Sequence, residues 1–223
     1  MSPDVLWRYL PSLAFGFGVT VFCWSVGGAL GMALGFAIAL LRRLPVPPLR
    51  WALRAFIEAF RGTPFLVQLF LLYAAGPSIG LRLSATAAGI LGLGLYSSAY
   101  FAEIFRAGLA SVPAGQIEAA TSVGMTKFDT LVRVELPAAL IAAVPSIVNM
   151  LIVLSKETVV LSIITVPELM YQMQTMAAET FTAFDAIFAM AAFYWILVEA
   201  VSRLGSRVEG RVTAYLASGG ERA

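Results

Sequence analysis

The sequence predicts an all-α integral membrane protein that crosses the bilayer with five helices. Hydrophobic residues make up 60% of its 223 residues and the mean hydropathy is +0.86, whereas apolar residues are roughly half of a soluble domain. Charged residues are only 13% of the chain and occur in clusters. The runs between the clusters reach about twenty residues, which is the helix length that crosses roughly 30 Å of hydrocarbon. Such a composition could not cover a water-facing surface, so a soluble fold is excluded.

Five apolar runs are interpreted as the transmembrane helices. They are 12–41, 62–76, 85–105, 137–155 and 183–204, within a transmembrane domain of residues 12–210. Residues 1–11 are expected to form a short segment on the outer side, and residues 211–223 a cytoplasmic tail. The uncharged run 9–41 is too long for the apolar core of a cleaved signal peptide, so it is interpreted as a retained span.

The first span carries Gly27, Gly31 and Gly35 at intervals of four residues, so the three share one helix face. Small residues on one face predict close approach of another helix, although glycines are also merely tolerated in membrane helices. The single cysteine, Cys23, is expected to be a small buried hydrophobe. A basic, proline-broken loop follows from Arg42 to Arg54, in which prolines interrupt any continuous helix. Thr63 is expected to cap the second span, with Pro64 in its first turn.

Several spans contain polar side chains that need a partner or a wet cavity within the membrane. We predict that they line a substrate pathway; they are Gln68, Ser97, Ser98, Tyr100, Glu103, Asn149 and Glu157. For each of them a structural role is the alternative. Gln68 could make an interhelical hydrogen bond, Glu103 could pair with Arg106, and Glu157 could end a span at the membrane boundary beside Lys156.

The segment 107–136 is too polar to cross the membrane and is predicted to be a coupling segment that docks a partner. Ser111 is expected to cap a helix there and Pro113 to occupy its first turn, with Ile117, Ala120 and Phe128 on one side. Pro137 is expected to open the fourth span. The apolar run 159–166 is too short to cross, so we expect it and the following residues to pack against protein on the outer side.

The distribution of charge predicts the orientation. Basic residues follow the first, third and fifth spans, which places the N-terminus outside and the C-terminus in the cytoplasm under the positive-inside rule. The net charge of +2 therefore reflects the membrane and predicts no nucleic-acid partner. The chain has no histidine and no phosphate-binding loop ending in Lys-Ser/Thr, so we expect no metal site, no ATP site and no catalysis on this chain.

The coupling segment resembles the EAA motif of bacterial ABC importer permeases. The matching residues are Glu118, Ala119, Ala120, Gly124, Leu136 and Pro137, and Met125 is included in the predicted coupling set. The stretches RGTPFLVQLFLLY, AYFAEIFRAGLASVPAGQIEAA and LSKETVVLSI resemble the polar amino-acid permeases of the histidine/glutamate/glutamine/arginine/opine group. The likeness covers about 12–210. It departs at 156–160, where KETVV stands in place of Lys-Asp-Thr-Ser-Leu, so the acid is kept and the serine is lost.

The resemblance implies a type I importer permease in the bacterial cytoplasmic (inner) membrane. Its partners would be two ABC ATPase subunits that carry ATP and Mg, a second permease subunit, identical or paralogous, and an extracytoplasmic solute-binding protein. The substrate would be a polar amino acid or close analogue, and the EAA helix would dock the ATPase. The open alternatives are an autonomous secondary carrier or channel subunit, a membrane scaffold, and an intramembrane enzyme, for which no catalytic constellation is visible.

Overall fold

The computed structural model describes residues 3–181 and 183–220 as a bundle of helices. The helices are α1 (Pro3–Leu41), α2 (Pro47–Gly62), α3 (Phe65–Phe70), α4 (Ala85–Ala110), α5 (Ala114–Ser122), α6 (Lys127–Thr130), α7 (Leu136–Glu157), α8 (Leu169–Thr180) and α9 (Ala183–Gly220). A π-helical turn extends α3 over Leu71–Ala75 and another joins α6 to α7 over Leu131–Glu135, and 3-10 turns cover Gly76–Ile79 and Thr158–Ile164.

Four helical stretches are long and apolar enough to cross a membrane, and a bent pair supplies a fifth. The four are Trp7–Leu41, Ala85–Ala110, Lys127–Ile164 and Phe184–Gly210; the pair is Pro47–Gly62 with Phe65–Ile79, bent by 111°. The five predicted spans are therefore recovered if the bent pair counts as one. Within that pair, the apolar stretch Phe65–Ile79 corresponds to the predicted second span.

The contact between α1 and α4 depends on the predicted glycine face. A Cβ atom on Gly31 would lie 1.9 Å from the Ser97 Oγ, and one on Gly35 would lie 2.5 Å from the Phe101 Cβ. Gly27 approaches Leu93 in the same way, with 2.8 Å between the two Cβ positions. The prediction of close helix approach at these glycines is confirmed.

Two of the apolar clusters in the described residues join the long helices of the bundle. The larger joins α1, α4 and α7 around Phe101, Leu93 and Leu154, and includes the fully buried Cys23. The smaller places α8 against α1 and α9 through Leu169, Met173, Met176, Leu13 and Ala186. The expectation that the segment after the fourth span packs against protein is therefore confirmed.

Several helix boundaries differ from the predicted ones. α1 begins at Pro3 and takes in most of the predicted outer segment, whereas α4 continues five residues past 105. α9 continues to Gly220, into the predicted tail, of which residues 221–223 lie outside the described part, as do residues 1 and 2. Helix ends in a membrane protein extend beyond the apolar run, because hydropathy marks the hydrocarbon core and not the end of backbone hydrogen bonding.

The surroundings of the prolines differ from the prediction at two places. The loop after α1 is only Arg42–Val46, because Pro47 and Pro48 occupy the first turn of α2, where no amide donor is needed. Pro137 lies in the first turn of α7, as predicted, but shorter helical turns already precede it from Lys127 onward. The π-helical turn Leu131–Glu135 immediately precedes it, in the position where a missing proline N–H disturbs the regular ladder.

Thr63 and Ser111 also have roles other than the predicted ones. Thr63 is the C-cap of α2, and its hydroxyl donates to the carbonyl of Ala59 at 2.8 Å. Ser111 is the C-cap of α4, and its hydroxyl donates to the carbonyl of Gly108 at 2.7 Å. In both cases the preceding helix runs further than hydropathy indicates, so the residue closes one helix and does not open the next.

Candidate functional site

A sharp turn between α5 and α6 forms the centre of the predicted coupling segment. Gly124 has a φ of +85°, a backbone conformation that residues with a Cβ rarely adopt. The Gly124 N–H donates to the Thr121 carbonyl at 3.0 Å, and the Met125 N–H donates to the Ala120 carbonyl at 3.1 Å. This pair of bonds is a Schellman motif, which closes the end of α5. The chain therefore turns at Gly124.

We use the name docking turn for residues 118–128, which expose a carboxylate beside two apolar side chains. Glu118 is exposed and, among the residues that the structure describes, its carboxylate has no ion-pair partner. Val123 is 79% exposed and Phe128 is 72% exposed. The prediction that grouped Phe128 with the buried Ala120 is therefore wrong for Phe128. Sequence reasoning did not single out Val123, because a lone valine between two short helices carries no periodic signal.

The docking turn is tied firmly to the membrane helices. α6, the π-helical turn and α7 run on continuously from Lys127 to Glu157, past Leu136 and Pro137. Glu135, only 5% exposed, pairs with the Arg43 guanidinium after α1 at 2.6 Å. A Cβ on Gly108 of α4 would lie 2.6 Å from the carbonyl oxygen of Ala139 in α7. Force applied at the docking turn would therefore reach α1, α4 and α7 together.

Gln68 joins α2 to α3 and also lines a cavity. Its side-chain amide donates to the Phe60 carbonyl at 2.8 Å, the Thr63 carbonyl at 3.0 Å and the Thr63 hydroxyl at 2.9 Å. Its carbonyl oxygen Oε1 is buried without a hydrogen-bond partner in the chain. The cavity beside it is about 400 Å³, with Leu71 and Leu95 among its lining residues. Gln68 therefore makes the interhelical hydrogen bond that was the structural alternative for it. Its Oε1 atom can still accept a hydrogen bond from a further group.

Ser97 and Ser98 are completely buried inside the chain. The Ser97 hydroxyl donates to the Leu93 carbonyl and that of Ser98 to the Leu95 carbonyl, each at 2.7 Å. Ser97 also packs against the glycine face of α1. Helix packing thus accounts for both serines in the single chain, and their place in a pathway remains a prediction that the geometry does not strengthen.

Tyr100 belongs to an aromatic pair on α4, and Glu157 is a carboxylate without an ion-pair partner in the described part of the chain. The Tyr100 ring centroid is 5.0 Å from that of Tyr96, and the Arg61 guanidinium lies 5.4 Å from the Tyr100 centroid. Glu157 is half-buried at the end of α7. Among the described residues Glu157 forms no ion pair, not even with its neighbour Lys156.

Asn149 and Glu103 have contrasting surroundings. Asn149 is exposed on α7, with no hydrogen bond from its side chain to the described part of the chain. Glu103 instead lies between two guanidinium groups, pairing with Arg42 and accepting from the Arg106 Nε at 2.8 Å. The predicted Glu103–Arg106 pair is thus present, and this carboxylate is committed to holding α1 against α4.

A buried carboxylate that sequence reasoning missed links α8 to two other helices. Glu168 is fully buried, caps α8 by accepting from the Tyr171 N–H at 2.9 Å, and accepts from the Thr20 hydroxyl of α1 at 3.2 Å. The Tyr194 hydroxyl of α9 lies 3.5 Å away and is also 3.1 Å from the Thr158 hydroxyl. Burial raises the pKa of the Glu168 carboxyl to about 7. The only sequence signal was an acid directly after Pro167 at the start of a helix.

Within the described residues, no group of three His, Cys, Asp or Glu side chains is arranged to hold a metal ion. Among the residues predicted for coupling and for the pathway, the docking turn, the cavity beside Gln68 and the region around Glu157 are the polar features that a partner or substrate could contact.

Comparison with known proteins identifies the wider group. Residues 27–213 match the family described as the binding-protein-dependent transport system inner membrane component. The L-cystine transport system permease protein TcyB of Bacillus subtilis (strain 168) is 36% identical over 210 residues, covering 94% of this chain and 90% of that protein. The probable amino-acid ABC transporter permease protein PatM of Vibrio harveyi is 36% identical, covering 93% and 95%.

Solved structures agree with these relatives. A crystal structure of an amino acid ABC transporter with histidines superposes with a TM-score of 0.87 at 34% identity, covering 92% of this chain and 96% of that chain. The inward-facing MetNI methionine ABC transporter shares the fold, with a TM-score of 0.75 at 22% identity over 95% of this chain and 99% of that chain.

Proposed function

Because the chain belongs to the family of binding-protein-dependent transport system inner membrane components, we propose that it forms half of the import pathway for a polar amino acid or close analogue. The family consists of multi-pass inner-membrane permeases of ABC importers, which work with an ATPase and a substrate-binding protein. ATP hydrolysis therefore belongs to a separate subunit. The substrate class proposed for this chain rests on relatives named as cystine and amino-acid permeases.

The observation that carries the coupling mechanism is the geometry of the docking turn. It exposes Glu118 on α5, Phe128 on α6, and Val123 in the connection between them, which turns at Gly124. Exposed apolar side chains beside a carboxylate suit a protein groove that has an apolar floor and a cationic rim. We propose that this groove belongs to the ATPase. ATP and Mg are held by that partner, and this chain supplies no cofactor site.

The continuous helical stretch from Lys127 to Glu157 transmits movement of the docking turn to the pathway. Closure of the ATPases displaces the docking turn, and the displacement passes along α6 and α7 to the level of Asn149 and Glu157. The close contacts of α7 with α4 make these helices move as one body. Such rigid-body movement of packed helices is a common form of alternating access.

The assembly we propose contains two ATPases and two permease subunits, identical or paralogous, beside one solute-binding protein. The exposed face of α7, with Asn149 in its middle, is directed to the pathway between the two permeases. The N-terminus lies outside and the docking turn faces the cytoplasm, as the positive-inside distribution predicts. Gln68 Oε1, Tyr100 and Glu157 supply the remaining polar contacts to the amino acid.

A substitution at Gly124 tests the coupling role. Gly124→Asp places a side chain on a residue with φ +85°, which strains the turn, and adds a charge beside Val123. We expect ATP-driven uptake and substrate-stimulated ATPase activity of the reconstituted complex to fall by more than tenfold. Membrane insertion and the thermal stability of the membrane helices should be retained.

Gly115→Asp is the matched control, because Gly115 lies in the first turn of α5, the helix that Gly124 closes, with open space around it and no positive φ. It should transport at close to the wild-type rate. Wild-type transport by Gly124→Asp would remove the coupling role from the docking turn. Gradient-driven flux through the permease alone in liposomes, without ATPase or ATP, would instead support the autonomous carrier or channel.

A further inference from the structure

The end of the bundle where α1 and α4 finish carries a cavity of about 400 Å³ lined by arginines. This volume is within the range of roughly 300–1,000 Å³ that small-molecule sites occupy. Five guanidinium-bearing residues line it together with Pro47 and Trp51; they are Arg42, Arg43, Arg50, Arg54 and Arg106. We call it the arginine cavity. None of the functions proposed above uses it.

The carboxylates around the arginine cavity are too few to neutralise it. Glu103 is shared by Arg42 and Arg106, and Glu135 pairs with Arg43. Glu58 lies 3.6 Å from Arg54, but both side chains are more than 60% exposed, where ion pairs contribute little. Arg50 has no ion-pair partner among the described residues. The cavity therefore carries an excess of positive charge, and the guanidinium N–H groups of Arg50 are available to a ligand.

The position of α2 places this charge at a membrane surface. α2 is bent by 111° from the apolar segment Phe65–Ile79. With that segment crossing the bilayer as the predicted second span, the axis of α2 runs nearer to the membrane plane than to the membrane normal. Ile57 on one side of α2 is buried against Ala99 and Ala102 of α4. Trp51, 75% exposed, stands beside the arginine cavity, and tryptophan is typical of the headgroup level of a bilayer.

We propose that the arginine cavity binds the phosphate headgroup of an anionic phospholipid. Guanidinium groups bind phosphate oxygens through paired hydrogen bonds, which suits a wall made of arginines. The excess charge favours a lipid with net negative charge over a zwitterionic one. The lipid would join α2 to α1 and α4 at the end of the bundle that carries the docking turn.

The test uses the full chain, purified in a neutral detergent and titrated with phosphatidylglycerol or phosphatidylcholine, with bound lipid counted by native mass spectrometry. We expect preferential binding of phosphatidylglycerol. Arg50→Gln should weaken the affinity for phosphatidylglycerol about fivefold, because each arginine near anionic headgroups contributes about that much to binding. The double variant Arg50→Gln with Arg54→Gln should weaken the affinity further. Both residues are exposed, so neither substitution disturbs the core. Preference should shrink when ionic strength rises from about 0.1 M to about 1 M.

Arg82→Gln is the matched control, because it removes one exposed arginine at the opposite end of α4. It should bind phosphatidylglycerol like the wild type.

Equal binding of the two lipids, or equal losses for the Arg50 and Arg82 variants, would overturn the proposal. Displacement of the lipid by inorganic phosphate at the same concentration would assign the cavity to a free anion. If Arg50→Gln released the ATPase but not the lipid, the cavity would be part of the subunit interface. None of these readouts requires transport, so they are independent of the proposed import function.

Discussion

At the residue scale, the buried or half-buried carboxylates differ in whether they have ion-pair and hydrogen-bond partners. Glu103 is held by two arginines, Glu135 by Arg43, and Glu168 by the Thr20 hydroxyl and the Tyr171 N–H. Glu157 is half-buried and forms no ion pair with any described residue. A desolvated carboxylate without a partner is costly, so such a residue in a membrane protein indicates a site for a cation or donor. The α-ammonium group of an amino acid fits this description.

Glu157→Gln should therefore weaken transport while leaving the complex intact. Hydrogen bonds to a charged group contribute about 1.5–3 kcal/mol, which corresponds to a loss of roughly tenfold or more in substrate affinity at the membrane site. The measurement is uptake by the reconstituted complex as a function of the concentration of loaded binding protein, with ATPase activity measured in parallel.

Glu199→Gln provides the comparison for Glu157→Gln. Glu199 also stands on a spanning helix, but it is 42% exposed and pairs with Arg203 at 2.7 Å in the i,i+4 arrangement. Its neutralisation should alter uptake by less than twofold. Equal uptake by Glu157→Gln and the wild type would exclude Glu157 from the pathway and leave the exposed Asn149 as the main polar group on α7.

At the scale of elements, the α1–α4 contact should be more sensitive to added volume than any other face of α1. Gly31→Ala puts a methyl group into the space of the Ser97 hydroxyl and 2.9 Å from the Gly94 carbonyl oxygen. Such overpacking costs about 1–3 kcal/mol. We expect a lower thermal unfolding temperature in detergent. Gly18→Ala on the same helix meets no atom within 4 Å, and it should leave that temperature unchanged.

The α1–α4 contact also shows what the sequence can predict about this fold. The spacing of Gly27, Gly31 and Gly35 is a local pattern with one physical meaning, close helix approach, and the structure confirms it. Gly124 is predictable for the same reason, because glycine at the end of a helix favours a left-handed turn. Hydropathy likewise located the spans, since burial in lipid acts on each residue separately.

The features that were missed depend on partners far away in sequence. Glu168 meets Thr20, 148 positions earlier, and Arg43 meets Glu135 across the whole of α4. The π-helical turn before Pro137 joins α6 to α7, and the proline alone does not predict that helical structure precedes it. The pathway prediction for Ser97 and Ser98 rests on their polarity, which gives no information about their burial in the chain. Polarity in a span predicts a partner, but it does not say whether the partner is substrate or the same helix.

At the scale of the whole molecule, the orientation in the membrane decides whether the docking turn can meet an ATPase. The chain suits a labelling test because its one cysteine, Cys23, is fully buried. Ile79 is 81% exposed before α4 and Val123 is 79% exposed in the docking turn, so the two positions are equally accessible and lie beyond opposite ends of a 26-residue helix. That helix is about 39 Å long, enough to separate the two faces of a bilayer.

Ile79→Cys and Val123→Cys should therefore react from opposite sides when a membrane-impermeant maleimide is added to cells that express the permease without its ATPase. We expect Ile79→Cys to be labelled in intact cells and Val123→Cys only after permeabilisation. The wild-type chain, with Cys23 alone, should remain unlabelled in both conditions. The reverse pattern would place the docking turn outside, where no ATPase could reach it, and ATP-driven coupling through Gly124 would be impossible. The charge distribution predicts the first pattern, because Arg42, Arg43 and Arg106 lie at the same end of the bundle as the docking turn.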